Sequence, residues 1–436
     1  MSSATDSRVV QTHDEAYVAR QRKRASIGSL IGTTIEWYEY YIYGATAALV
    51  FPQLFFPGEN ALVGTILSFS TFAVAFVSRP IGAAVFGHYG DRIGRKTTLI
   101  VTLVLTGLAT FLVGVLPGYE SIGIAAPLLL TLLRLIQGFG VGGEWGGAVL
   151  VSLEWGEQDK RGKSGSWPQM GTSVGLILST LAVTLSSSLS GDNYESWGWR
   201  LPFLFSAVLV LVGLFVRLAL DETPSFAKNK AAGTLVSNPV GAVIKRYPKE
   251  LVLIAFLRLS EQMPFYIFTS FILGYAVSET GVSREFVLYS TLVAAVIDLC
   301  LLPTFARLAD RIGRRKMYYI GCVVLIALAY PYFAMLQSGN HALIFLAIAT
   351  SLLPHAIQYG AQASIISEQF PANVRYAGAG IGYQLSSLVA GGPAPIIAAW
   401  LAAAYSGYAV ASFIAIGGVV AAIALRLMPD RQDNAL

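Results

Sequence analysis

The sequence predicts an all-α integral membrane protein of twelve transmembrane helices, arranged as two pseudo-symmetric six-helix bundles. Three observations predict it. The 436 residues are 55% hydrophobic and only 13% charged, with a mean hydropathy of +0.61, too apolar for an ordinary soluble chain. Apolar runs of the roughly 20 residues needed to cross a bilayer recur along the chain. A polar stretch between two such runs, Asp91-Arg92-Ile93-Gly94-Arg95, returns half a chain later as Asp310-Arg311-Ile312-Gly313-Arg314. That repeat reads as an internal duplication.

The apolar segments fall at 27–51, 62–87, 97–117, 123–153, 164–189 and 200–220, then at 250–276, 286–308, 316–336, 342–366, 376–402 and 408–427. They divide the chain into an N-terminal tail (1–26), a first bundle (27–220), a linker (221–249), a second bundle (250–427) and a C-terminal tail (428–436). The N-terminal tail is polar, without the short apolar core or small-residue cleavage site of a signal peptide. Arg92, Arg95, Lys96, Lys160, Arg161, Lys163, the linker lysines and the 307–316 cluster all fall in the tails or the even-numbered connections, whereas the odd-numbered ones hold only Arg200 and Arg284. Positive residues stay on the cytoplasmic side, so both termini are expected there, in a cell inner membrane. The net charge of +5 is therefore topological, and no nucleic-acid partner is expected. Cys300 and Cys322 lie inside apolar runs, without metal-ligand spacing, and are expected to be buried thiols.

A second trace supports the duplication: Glu154 precedes Arg161 by the same interval that separates Glu368 from Arg375. Both copies lie on one side, which makes the repeat parallel, with its axis along the membrane normal. On these motifs the chain resembles the major facilitator superfamily. The stretch 87–96 is similar to that family's loop motif between helices 2 and 3, and Arg134-Leu135-Ile136-Gln137-Gly138 to its helix 4 motif. Glu36-Trp37-Tyr38-Glu39-Tyr40-Tyr41-Ile42-Tyr43-Gly44, Ser78-Arg79-Pro80-Ile81-Gly82, Gly142-Gly143-Glu144-Trp145-Gly146-Gly147 and Trp197-Gly198-Trp199-Arg200-Leu201-Pro202-Phe203 resemble its metabolite:proton symporter branch. Residues 43–51 and 121–127 look nearest to shikimate and organic-acid members. The resemblance implies the major facilitator fold and proton-coupled uptake of a small metabolite. The branch usually has Asp where Glu39 stands, so carboxylate reach differs here by one methylene.

An ionised group in the bilayer core is costly and normally faces a partner or a wet cavity. Glu36 and Glu39 share one face of helix 1 with Tyr40 and Tyr43. At about 1.5 Å per residue, Glu39 lies about 18 Å from one end of its helix and Arg134 about 15 Å from the other, so the two are expected to meet near the midplane. A Glu39–Arg134 pair, with Glu36 as the alternative titrating acid, is the expected proton-coupling site. A carboxylate beside an arginine stays ionised until the arginine is drawn away. Tyr40, Tyr43, Gln137, Trp145, Arg258, Gln262, His355 and Tyr359 are the candidate substrate contacts, with Trp167 and Tyr383 as further aromatics. Arg258 offers a planar fork for a carboxylate, unless Glu261 or Asp298 neutralises it. Glu144, Glu261 and Asp298 are candidates for a second proton site. Gly138, Gly142 and Gly146 read as a close-packing stripe.

The loop residues have a mechanical expectation. Asp91 is expected to accept from the N-terminal amides of a helix in the opposite half. Arg92 and Arg95 are expected to reach Glu154, and Asp310, Arg311 and Arg314 to form the second copy with Glu368, together making a cytoplasmic gate. The sequence holds no phosphate-binding Gly-x4-Gly-Lys-Ser/Thr loop, no metal-ligand pattern and no nucleophile–base spacing. Residues 166–171 do not match the family's antiporter motif. The reading is a non-enzymatic symporter without cofactor, driven by the proton gradient. Its expected partners are a small organic acid, protons and the lipid bilayer, and the chain is expected to work as a monomer. The alternatives are uptake of a zwitterion such as proline or betaine, or a non-transporting membrane sensor.

Overall fold

The computed structural model describes residues 15–58 and 61–431. Twelve long helical elements follow one another: α1 Glu15–Leu49, α2 Ala61–Ile93, α3 Arg95–Val115, α4 Ala125–Glu154, α5 Arg161–Ser190 and α6 Arg200–Leu218. The second set is α7 Pro248–Leu257 with Leu259–Thr280, α8 Arg284–Ile312, α9 Arg314–Leu336, α10 His341–Ser367, α11 Arg375–Ala404 and α12 Gly407–Leu427. Among the described residues, ten helices are long and apolar enough to cross a membrane, and the bent α7 makes eleven. Absent from that set is α1, whose wall carries Glu36, Glu39 and four tyrosines between 38 and 43.

The boundaries depart from expectation where local chemistry intervenes. Helix α1 begins at Glu15, inside the expected tail; residues 1–14 and 432–436 lie outside the described residues. Helix α7 bends by 41° at Arg258, just before Pro264, which lacks an N–H and crowds the preceding turn. Ser283 and Asn340 cap α8 and α10 through their side-chain oxygens. The linker contains two short helices, Pro224–Ala231 and Pro239–Arg246. Cys300 is exposed, against expectation, whereas Cys322 is buried.

Helices α1–α6 form one bundle and α7–α12 the other. They meet along two related seams, α5 against α8 and α2 against α11. Within the first bundle, a methyl on Gly138 or Gly142 would strike the α2 backbone at Ala75 or Arg79, so these glycines set the α2–α4 approach. The outer wall carries exposed apolar side chains such as Leu189, Phe215 and Ile396, as a lipid-facing surface does. Charged groups within the spans, such as Glu39, Arg134, Arg258 and Asp298, are turned inward, and the basic residues gather at the end that holds the repeated loops, here termed the basic end.

Candidate functional site

At the basic end the two repeats build matching clusters across the seams. Asp91 accepts from the Tyr376 and Ala377 amides (3.3 and 3.0 Å) at the start of α11. Asp310 accepts from the Gly162 and Lys163 amides (2.7 and 2.9 Å) at the start of α5. Each carboxylate thus faces the positive end of a helix in the other bundle. Arg95 reaches Glu154 (3.4 Å) and donates to the Ala372 carbonyl (3.0 Å), while Arg314 pairs with Glu368. Each glutamate is also met from across the seam: Glu368 by Arg161 (3.0 Å) and Glu154 by Arg375 (3.9 Å).

The loop geometry decides which arginine arrives. Gly94 and Gly313 have φ of +121° and +101°, a region that favours glycine. The chain reverses there and turns Arg95 and Arg314 inward. Arg92 and Arg311, expected to share this task, sit on the outer side of the preceding turn and are exposed; Arg92 contacts His88 instead. The linker adds Glu222, which accepts from the Arg95 and Lys96 amides at the start of α3.

At mid-depth the second bundle holds a continuous polar chain. Arg258, buried at the α7 break, aims inward: it pairs with Glu261 (3.2 Å), donates to Ser386 Oγ (2.6 Å) and the Tyr383 carbonyl (2.7 Å), and lies over the Tyr383 ring. Glu261 accepts from Gln362 (3.0 Å) and stands 3.6 Å from His355 Nε2. The other ring nitrogen, Nδ1, is 2.9 Å from Asp298, whose second oxygen accepts from Ser173 of α5 (2.6 Å). Gln262 is bonded to Ser386 and Ser387. Tyr359 and Tyr383 share a hydroxyl contact at 3.0 Å, and Trp145 stacks on Tyr383 at 3.6 Å while donating to Gln169.

The first bundle differs. Arg134 donates to Gln137 (3.1 Å), which donates to Thr110, and its guanidinium lies over Tyr43 and Phe72. Its Nε and Nη2, Glu39 Oε1, Glu36 Oε2 and Arg79 Nε are buried without a hydrogen-bond partner. The expected Glu39–Arg134 pair does not close among the described contacts: the arginine settles against aromatic faces. Tyr40 joins Trp37, Tyr41, Phe72, Phe76 and Tyr266 in an aromatic layer between the bundles. Glu144 is bound by Arg217 and Thr102, a buried pair between α4, α6 and α3. Trp167 lies apart from the centre, in a surface cleft at the basic end with Arg22 and Lys163.

Sequence reasoning passed over Arg79, whose guanidinium lies near the Phe76 and Tyr40 rings, although its motif was in view. Ser173, Gln169 and Gln362 carried no signal of their own. Arg161 and Arg375 served only as repeat markers, yet that marking already located them.

The sequence profile of the Major Facilitator Superfamily matches residues 28–381 and 251–435. The chain is 41% identical over 435 residues to the shikimate transporter of Escherichia coli strain K12, covering 98% of this chain and 99% of that protein. It is 39% identical over 431 residues to an inner membrane metabolite transport protein of the same organism (97% and 98%). A proline/betaine transporter from it is 32% identical over 391 residues (87% and 77%). Among solved structures, a proton:xylose symporter bound to 6-bromo-6-deoxy-D-glucose superposes with a TM-score of 0.73 over 95% of this chain and 97% of its own, at 18% identity. At that identity the likeness is one of fold.

Proposed function

The chain belongs to the major facilitator superfamily, a multi-pass membrane transporter and not an enzyme, and we propose that it is a proton-coupled symporter importing a small organic carboxylate such as shikimate by alternating access. The observation that carries the cargo class is the first-bundle centre. There the buried Arg134 and Arg79 keep guanidinium nitrogens without a protein partner, beside the hydroxyl-bearing rings of Tyr40 and Tyr43. Such an arrangement favours an anionic, hydroxylated ligand. The end-to-end similarity to a shikimate transporter points the same way.

In this reading the cargo carboxylate engages Arg134, and the nearby Glu39, or Glu36 one turn below, takes the proton. The bundles over 27–220 and 250–427 rock about the centre. The clusters around Asp91 and Asp310 latch the basic end, which is cytoplasmic together with both termini, and breaking them opens the carrier inward. The proton gradient across the inner membrane is the drive, without a cofactor, and one chain forms the whole path.

A zwitterionic cargo such as proline or betaine is the second reading, favoured by Arg258 and Glu261, which present both charges at the same depth. Uptake of labelled shikimate into proteoliposomes, with and without an inward proton gradient, tests the proposal. Competitors are α-ketoglutarate, citrate and betaine. Accumulation only with the gradient, blocked by unlabelled shikimate and not by betaine, is expected. Gradient-independent equilibration would remove the coupling role of Glu39, and displacement by betaine alone would replace the cargo.

A further inference from the structure

We propose that His355, held between Asp298 and Glu261, is a second carrier of the transported proton, and that Ser173 of the opposite bundle gates it. The inference rests on the symporter reading and places the proton on the imidazole, for which the sequence suggests only a substrate contact, between two acids that the sequence offers as proton-site candidates.

The argument begins with charge. Asp298, His355, Glu261 and Arg258 are all buried. Arg258 supplies one positive charge and the two acids supply two negative charges. With a neutral imidazole the cluster would bury a net negative charge at mid-depth, which a membrane-spanning bundle strongly disfavours. One added proton neutralises it. Of the available acceptors, the imidazole alone touches both acids, 2.9 Å from Asp298 through Nδ1 and 3.6 Å from Glu261 through Nε2. An imidazolium donates from both nitrogens and fits both neighbours.

Among the described residues, the other contacts of the cluster add no further cation. Facing the ring are Phe265 of α7 and Tyr359 of α10, at centroid distances of 4.8 and 4.5 Å. Gln362 of α10 bonds Glu261, Ser173 of α5 bonds Asp298, and Thr172 of α5 and Tyr383 of α11 bond Tyr359. Tyr41 of α1, in the first bundle, is close enough to feel the Asp298 charge.

The gate follows from the seam. The Ser173–Asp298 bond (2.6 Å) crosses from α5 to α8, on the same helix pair whose basic end is held by Asp310 and the Gly162 and Lys163 amides. Parting that seam breaks both. Asp298 then gains water in place of Ser173; the Nδ1 proton moves onto the Asp298 carboxylate and from it to that water, which leaves as hydronium, and the imidazole stays neutral beside the re-ionised acid. While the seam is shut, the proton has no such acceptor. Glu144 plays no comparable part, because Arg217 already neutralises it within one bundle.

The first test reads the ring itself. Full-length protein labelled with 15N-histidine is examined by NMR in detergent at pH 7, with H355N assigning the resonance. Both His355 nitrogens protonated in the wild type is the expected result; a single protonated nitrogen overturns the proposal. The second test compares gradient-driven accumulation with equilibrium exchange of labelled shikimate in proteoliposomes. In D298N and H355Q the ratio of accumulation to exchange is expected to fall at least tenfold, and in S173A by less. Variants that keep the wild-type ratio would make the cluster a static brace and overturn the proposal. If the wild type moves no shikimate, the cargo reading fails there, and the ring nitrogens still decide the proton.

Discussion

The two bundles treat buried charge differently at the centre and alike at the basic end. In the second bundle, Arg258 has an acid, a carbonyl, a hydroxyl and an aromatic face, and Asp298 is bonded through both oxygens. In the first, Arg134, Arg79, Glu36 and Glu39 each retain a buried polar atom without a protein partner. A group left so costs about 1–3 kcal/mol. In the proposed reading these unpartnered charged side chains receive the cargo, whereas the charged side chains at the centre of the second bundle are held by one another. At the basic end the two halves correspond more closely, since Asp91, Arg95 and Glu154 repeat as Asp310, Arg314 and Glu368 in matching contacts. In the proposed reading the duplicated contacts are mechanical and the diverged centre is chemical.

The largest expected effect tests the centre. Arg258→Gln leaves Glu261 buried without its cation, which costs about 3–5 kcal/mol, so the thermal midpoint in detergent should drop clearly. Arg134→Gln removes a charge whose described contacts are one hydrogen bond to Gln137 and ring faces, at a stability cost of about 1 kcal/mol or less, yet uptake should fall ~100-fold or more. Uptake and thermal midpoint measured on both variants decide the matter. A destabilised Arg134→Gln beside a stable Arg258→Gln would reverse the assignment of the two walls.

Next come the latches, where the halves should behave alike. Asp91→Asn and Asp310→Asn each weaken charge-assisted bonds to helix-end amides, a loss of about 2 kcal/mol and hence roughly a thirtyfold shift towards an open basic end. Spin labels at Gln158→Cys and Lys316→Cys, on a background lacking Cys300 and Cys322, report that opening by electron–electron distance measurement. Similar shifts in both variants are expected. A shift in one alone would show that a single seam holds the carrier shut.

Glycine substitution sharpens the same comparison at a smaller scale. Ala at Gly94 or Gly313 forces a side chain into positive φ, at about 1–2 kcal/mol. At Gly94 the added methyl also meets the Glu222 carboxylate, whereas at Gly313 the nearest atoms belong to Lys316 at 4.0 Å. Gly94→Ala should therefore open the basic end further than Gly313→Ala by the same distance measurement. Equal effects would mean that Glu222 does not brace the first latch.

This division also governs what the sequence revealed. The repeat of Asp91 at Asp310, and of Glu154 at Glu368, announced the duplication because identical residues at a fixed interval need no knowledge of packing. The centre hid its pairings because they depend on helix rotation. Glu39 and Arg134 lie at a common depth, as the rise per residue requires, but rotation of α4 turns the guanidinium onto Tyr43 and Phe72. Asp298 and His355 were legible as buried polar residues, but their contact depends on how α8 lies on α10. The choice of Arg95 over Arg92 depended on the backbone of Gly94, which a residue name alone does not give.

The smallest effect is expected one residue from a large one. Arg161 is buried and pairs with Glu368 across the seam, while its neighbour Lys160 is exposed and pairs locally with Glu157, as does Arg22. Lys160, by its hydrogen bond, and then Arg22 hold the Glu157 carboxyl below its ordinary value. Such a depressed carboxylate adds stability above its unfolded pKa and loses it as pH falls through the folded value. Exposed pairs are screened by water and salt, so Glu157→Gln should leave both the basic-end distance and the thermal midpoint at pH 7 nearly unchanged, with any small difference vanishing in acid. Arg161→Gln should lengthen that distance, because it removes a buried ion pair that joins Glu368 to the opposite bundle and leaves the Arg314 pair within its own bundle. If Glu157→Gln opened the basic end as far as Arg161→Gln, the surface pair would be part of the latch, and burial would no longer separate the contacts that hold the bundles together from those that do not.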